Sequence, residues 1–81
     1  MRISIAAFAG VRELLADRIA VLDLPDGASV GDAWKALEAR QPALIPLAAS
    51  TRLARNGRIA SSGDALGDGD ELALLPPVGG G

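Results

Sequence analysis

The chain ends LLPPVGGG (residues 74–81), and the reactive group this ending presents is the α-carboxylate of Gly81. Gly79, Gly80 and Gly81 carry no Cβ, so their backbone can approach another protein closely enough to enter a narrow slot. Pro76 and Pro77 fix φ and favour extended backbone before them, which projects such an arm from the body. At average glycine usage, three terminal glycines arise by chance in about one chain in a few thousand. A carboxylate is a poor electrophile and must be activated, for instance as an acyl-adenylate. The chain contains no cysteine, histidine or tyrosine, so the commonest general base and metal ligands are missing. The segment GDALGDGDE is glycine-rich but has no Lys-Ser/Thr and follows no strand–helix unit, so it is not a phosphate-binding loop. Asp68, Gly69 and Asp70 read instead as a turn. Activation must therefore come from another protein, and the chain is a carrier and a substrate.

Composition narrows the partners. Eight basic and ten acidic residues give a net charge of −2, which argues against a nucleic-acid binder and its basic stripe. Phe8 and Trp34 are the two aromatic residues, too few for a base-stacking platform. No apolar stretch approaches the roughly 20 residues of a membrane span. The opening MRISIAAFAG lacks the apolar core and cleavage site of a signal peptide and reads as a strand. The expectation is a soluble, cytoplasmic protein of one domain, modest in stability at 81 residues.

The elements that must hold the arm follow from hydrophobic periodicity. RISIAAF (Arg2 to Phe8) alternates as a strand, with Ile3, Ile5 and Ala7 on one face and Arg2, Ser4, Ala6 and Phe8 on the other. GVRELLAD reads as a turn plus a short helical piece, and RIAVLDL (Arg18 to Leu24) as a second strand. Ser29 is the expected N-cap of a helix over VGDAWKALEAR, with Asp32 completing a weaker capping box. Val30, Ala33, Trp34 and Leu37 form its apolar stripe, which makes Trp34 a core residue, and Pro42 ends it. ALIPLAAS is a short helical or irregular piece. TRLARN and RIAS are short strands joined at Asn56-Gly57, a strong hairpin signal, and ELALLP is the last strand. Strands without regular βα alternation, plus one helix, mean an α+β fold: a mixed sheet of about five strands packed on one main helix. One helix covers one sheet face. With Leu72 and Leu74 in the core, Ala73, Leu75, Ala6 and Phe8 lie on the uncovered face as a candidate binding patch. Arg52, Arg55 and Arg58 around the hairpin read as a solvated basic strip.

Over its whole length the sequence resembles the small subunit of molybdopterin synthase, the sulfur carrier called MoaD, within the ubiquitin-like β-grasp superfamily. FAGVREL, ARNG and above all LGDGDELALLPPVGGG carry the resemblance. It implies a β-grasp domain over 1–77 and a flexible glycine-rich tail over 78–81. It also implies a mechanism in which an adenylating enzyme (MoeB-type) uses ATP to form an acyl-adenylate at Gly81. A sulfur donor converts this to a thiocarboxylate. The arm, Pro76, Pro77, Val78, Gly79 and Gly80, then enters the large synthase subunit (MoaE-type). There the sulfur passes to precursor Z (cyclic pyranopterin monophosphate) in molybdenum cofactor biosynthesis. By the same resemblance Phe8 and Leu75 meet the partners, and the chain by itself is a non-catalytic subunit that binds no cofactor or metal. Leu74 and Leu75 stand where family members often carry aromatics. Two other expectations remain: a thiamine-type sulfur carrier, and a β-grasp interaction module or ubiquitin-like modifier.

Overall fold

The computed structural model describes residues 1–8 and 20–75. Among them, five strands form one mixed sheet: β1 (Arg2–Ala7), β2 (Val21–Asp23), β3 (Arg52–Arg55), β4 (Arg58–Ile59) and β5 (Glu71–Leu75), in the order β2-β1-β5-β3-β4. The last strand thus lies at the centre, parallel to β1 and antiparallel to β3. One α-helix, α1 (Val30–Arg40), and a 3₁₀ helix (Pro42–Leu47) complete the described elements. The α+β fold with a five-stranded mixed sheet on one main helix is as expected. The short helical piece foreseen within 10–17 and the boundary between domain and tail at 77 and 78 lie outside the described residues.

The start of α1 is held three ways. Ser29 Oγ accepts from the Asp32 amide at 3.2 Å, and an Asp32 carboxylate oxygen accepts from the Ser29 amide at 2.9 Å, so the capping box is complete. The amides of Val30 and Gly31 donate to the carbonyls of Asp64 (2.9 Å) and Ser62 (2.8 Å). A helix N-terminus leaves such amides without intrahelical partners, and here the 62–64 loop supplies them. A Cβ at position 31 would stand 3.1 Å from the Ser62 carbonyl oxygen, so glycine permits this close approach. Val30, Ala33, Trp34 and Leu37 are buried against the sheet, as their spacing requires.

The core joins that stripe to Ile3, Leu22, Leu72 and Leu74 from the sheet, Leu24, Ala28 and Leu66 from the loops and Leu44 from the 3₁₀ helix. Leu44 places ALIPLAAS on the helix side, so this segment does not cover the opposite sheet face. β2 pairs with Arg2, Ile3 and Ser4, the Leu24 amide still donates to the Met1 carbonyl (2.8 Å), and Pro25, which lacks an amide hydrogen, comes next; Arg18 and Ile19 of the expected strand lie outside the described residues. Beyond β4 the Ala60 amide still donates to the Leu53 carbonyl (2.8 Å), and the Ser61 amide donates to the Asp64 carboxylate (2.9 Å) as the chain turns away. At the hairpin, Asn56 (φ 49°) and Gly57 (φ 84°) both take positive φ between the paired Arg55 and Arg58, as a type I′ turn demands.

The Arg55–Arg58 strip divides. Arg55 Nε donates to Asp70 Oδ2 at 2.6 Å, so this arginine is bound within the fold rather than solvated, contrary to expectation. Asp70 also accepts from Asn56 Nδ2 (2.9 Å) and the Gly67 amide (2.7 Å), while Asn56 Oδ1 accepts from the Glu71 amide (2.9 Å). The carboxylate thereby clamps the hairpin to the entry of β5. The Asn56 amide, Arg55 and the Gly67 N–H all favour its charged form and hold its pKa at about 2, below the usual 3.8. Because the folded-state pKa is depressed, this stabilisation is present above about pH 4 and is lost as pH falls from there toward 2. Asp70→Asn should lower Tm at pH 7 and narrow the gap to wild type near pH 2, measured by thermal unfolding across pH. An undiminished gap at pH 2 would show that the charge is irrelevant.

Candidate functional site

The arm of Pro76, Pro77, Val78, Gly79, Gly80 and Gly81 begins one residue beyond the described chain, but its root is well placed. It leaves the central strand β5, whose Leu72 and Leu74 are fully buried, so the point of departure is anchored in the core. Ala7 pairs with Leu74, and the Phe8 amide donates to the Leu74 carbonyl at 3.3 Å. Phe8 and Leu75 therefore stand side by side on adjacent parallel strands, with Arg52 opposite Leu75 on β3. Phe8 is 50% exposed, and Leu75 is half-buried. The sequence expectation that these two residues share the uncovered face at the base of the arm holds.

A second row crosses the same face. Register aligns Ala6 with Ala73, Ala73 with Ala54, and Ala54 with Ile59. Ala73 and Ala54 lie outside the core cluster yet are buried, which the expectation of an exposed Ala73 missed. Cross-strand methyl groups a few ångströms apart cover one another on a pleated surface. The result is a smooth apolar floor bounded by Phe8, Leu75 and Ile59, with Arg52 as its cation. Such a surface fits a partner's apolar face, and it has no group that could perform acyl chemistry itself. Among the described residues no cluster of His, Cys, Asp and Glu could hold a metal ion, and no helix is long and apolar enough to cross a membrane.

Strand alternation placed Phe8 and Leu75 on one face, as the register shows, while the tail, Pro76 to Gly81, lies outside the described residues. Sequence reasoning missed Asp70 as the clamp of β5, although ARNG and LGDGDE both contain its partners. Their common purpose becomes visible only once β3 and β5 pair.

A central last strand, one packed helix and an arm leaving beside an apolar face define a ubiquitin-like β-grasp protein. The chain belongs to the ThiS family, within the ThiS/MoaD group: the family model spans residues 5–81. It is 40% identical over 82 residues to small archaeal modifier protein 1 of Haloferax volcanii, covering 91% of this chain and 94% of that protein. It is 35% identical over 83 residues to the molybdopterin synthase sulfur carrier subunit of Chlamydomonas reinhardtii, covering all of both. The crystal structure of the Haloferax volcanii protein superposes with a TM-score of 0.86 at 37% identity over the whole of both chains.

Proposed function

We propose that the chain is the sulfur carrier subunit of a molybdopterin synthase. The carrying observation is the arm's origin: a chain end bearing a lone carboxylate leaves a core-anchored central strand between Phe8 and Arg52. A partner adenylating enzyme spends ATP to turn the Gly81 carboxylate into an acyl-adenylate, and a sulfur donor displaces AMP to leave a thiocarboxylate. The apolar face docks on the large subunit, and the arm delivers the sulfur to precursor Z. The likeness to the Chlamydomonas carrier subunit supports this reading over a thiamine-type carrier.

The test is intact mass after incubation with the adenylating enzyme, ATP and a sulfur donor. Gain of one sulfur in place of one oxygen at Gly81 is expected; an unchanged mass with an enzyme that activates a control carrier would sink the proposal. The docking half is tested separately. Phe8→Asp should leave the fold intact, since Phe8 lies outside the core, and should weaken binding to the large subunit by roughly ten- to a hundredfold, as loss of a buried aromatic contact implies. Unchanged affinity by titration calorimetry would remove Phe8 from the interface.

A second reading, a protein modifier, is favoured by the likeness to the Haloferax protein. It uses the same activated carboxylate but passes the acyl group to an amine, so conjugates rather than a thiocarboxylate would accumulate.

A further inference from the structure

The sheet face away from α1 carries few charges, and they are ordered along β5. Register puts Arg52 opposite Leu75, the last residue of β5, and Ala54 opposite Ala73, so Arg52 stands on this face beside the root of the arm. Strand alternation puts Glu71 on the same face, four residues before Leu75 and so roughly 13 Å down the strand. Both side chains are exposed. Neither makes an ion pair or a side-chain hydrogen bond among the described residues, whereas Arg55, on the helix side, is bound to Asp70. The other charged residues that the described strands place on this face are Arg2 and Asp23. They sit opposite each other past the Glu71 end and approach to 3.4 Å, so they compensate one another. Between Arg52 and Glu71 the face is uncharged, with Ala54 and Ala73 on the two strands and Ala6 on the next. The surface therefore has a cation at the arm end, an anion at the other end and methyl groups between them.

Docking through Phe8, Leu75 and Ile59 takes water away from Arg52. A guanidinium stripped of water without a counter-ion is strongly unfavourable, and arginine does not shed its proton in proteins. Glu71 lies too far along the strand to serve as that counter-ion, so the anion has to come from the partner. The planar fork of arginine matches a carboxylate through two parallel N–H···O bonds. Glu71 stands at the end of the face, beside the exposed Ser4, and calls for a cation more weakly.

We infer that the partner surface docking here is an apolar patch with a carboxylate against Arg52, at the mouth of the slot that receives the arm, and a cation against Glu71 roughly 13 Å further on. The inference rests on the proposed docking of this face on the large subunit, and it names the chemistry of that subunit's surface. The two charges set the direction of docking. Apolar contacts are non-directional, so Phe8, Leu75 and Ile59 alone do not prevent the partner from seating end for end. Seated that way, Arg52 meets the cation and Glu71 the carboxylate, and two like-charge contacts oppose binding. Only one orientation points the arm into the slot, and Arg52 selects it. Arg52 touches neither Gly81 nor the sulfur, so it is a positioning residue. Because Leu75 is followed at once by Pro76, a carboxylate held by Arg52 fixes the slot mouth at the first residue of the arm.

The experiment measures binding of the full chain to the large subunit by titration calorimetry at 0.15 M and 1 M salt, with Tm as the check of fold. Arg52→Glu is expected to weaken binding about a hundredfold or more, with Tm unchanged because the side chain lies outside the core. Glu71→Arg should weaken it about tenfold. The double variant Arg52→Glu/Glu71→Arg keeps the composition and the net charge of −2 but reverses the order of the charges, and it should bind no better than Arg52→Glu. At 1 M salt, where charges in solvent are screened within about 3 Å, Arg52→Glu should still bind about tenfold more weakly than the unsubstituted chain, because a pair buried in contact is screened much less. When acidic residues at the slot mouth of the large subunit are changed to lysine one at a time, one of them should bind Arg52→Glu better than it binds the unsubstituted chain. Unchanged affinity in Arg52→Glu, recovery of affinity in the double variant, or a loss that vanishes at 1 M salt would each overturn the inference and leave the carrier reading standing. Absence of binding by the unsubstituted chain would overturn the docking reading and this inference with it.

Discussion

Removal of Gly81 alone is expected to lower sulfur loading at least about 100-fold, because misplacing a reacting atom by even 1 Å can cost that much. The variant still ends in a diglycine, Gly79-Gly80, so it separates the identity of the last two residues from the reach of the arm. One residue is roughly 3.3 Å of extended chain, several times the tolerance of an in-line attack on ATP. The fold should not change. β5 ends at Leu75, and every core residue precedes it. Far-UV circular dichroism and Tm are expected to match wild type while the mass gain on incubation with activating enzyme, ATP and sulfur donor disappears. Near-normal loading of the shortened chain would mean that the activating enzyme recognises the diglycine and tolerates variable reach, and the arm would then be a flexible leash rather than a measured one.

The largest expected loss of stability lies in β5 itself, one residue before the strand ends. Leu74→Ala should cost about 2–5 kcal/mol, the range for deleting a fully buried leucine from a core that cannot collapse around the gap. Leu74 has no exposed surface and pairs with Ala7 on one side and Leu53 on the other. A domain of this size shifts by about 4–8 °C in Tm for each kcal/mol, so a fall of roughly 8–40 °C is expected in thermal unfolding. Leu74→Met, which conserves volume, should cost under about 1.5 kcal/mol. Equal losses for the two variants would mean that branching, not volume, matters at this position. Because the Leu74 carbonyl accepts from Phe8, fraying of this strand also releases the residue that borders the arm. Amide exchange at Phe8 should therefore rise in Leu74→Ala even below its Tm, which links the packing of the core to the presentation of the tail.

These two substitutions bracket a division of labour within ten residues. Leu72 and Leu74 face the helix and hold the strand. Ala73 and Leu75 face the opposite way, onto the surface proposed for docking. The alternation of a strand puts anchoring and recognition on opposite faces of one element, and the arm continues directly from it.

Much of this was legible in the sequence because it depends on local physics. The bounds of α1 follow from the Ser29–Asp32 capping box and the Val30, Ala33, Trp34, Leu37 stripe, both settled within one or two helical turns. The Asn56-Gly57 turn follows from the ability of those two residues to take positive φ, and the separation of Ile3 from Phe8 follows from strand alternation. The terminal carboxylate and its slim glycine arm are a property of composition and order alone. What only the tertiary structure decided is which distant segments meet. Strand order places the last strand between the first and third, and no local preference encodes a neighbour some 65 residues away. That pairing takes Arg55 out of an apparent basic strip and gives it to Asp70. It buries Ala73 and Ala54 under one another's methyl groups. It also sets the hairpin across from α1, so that Leu53 and Ala60 face Trp34. Local preferences need only a few neighbouring dihedral angles, whereas these contacts exist only once burial of a shared core has brought the sheet and helix together.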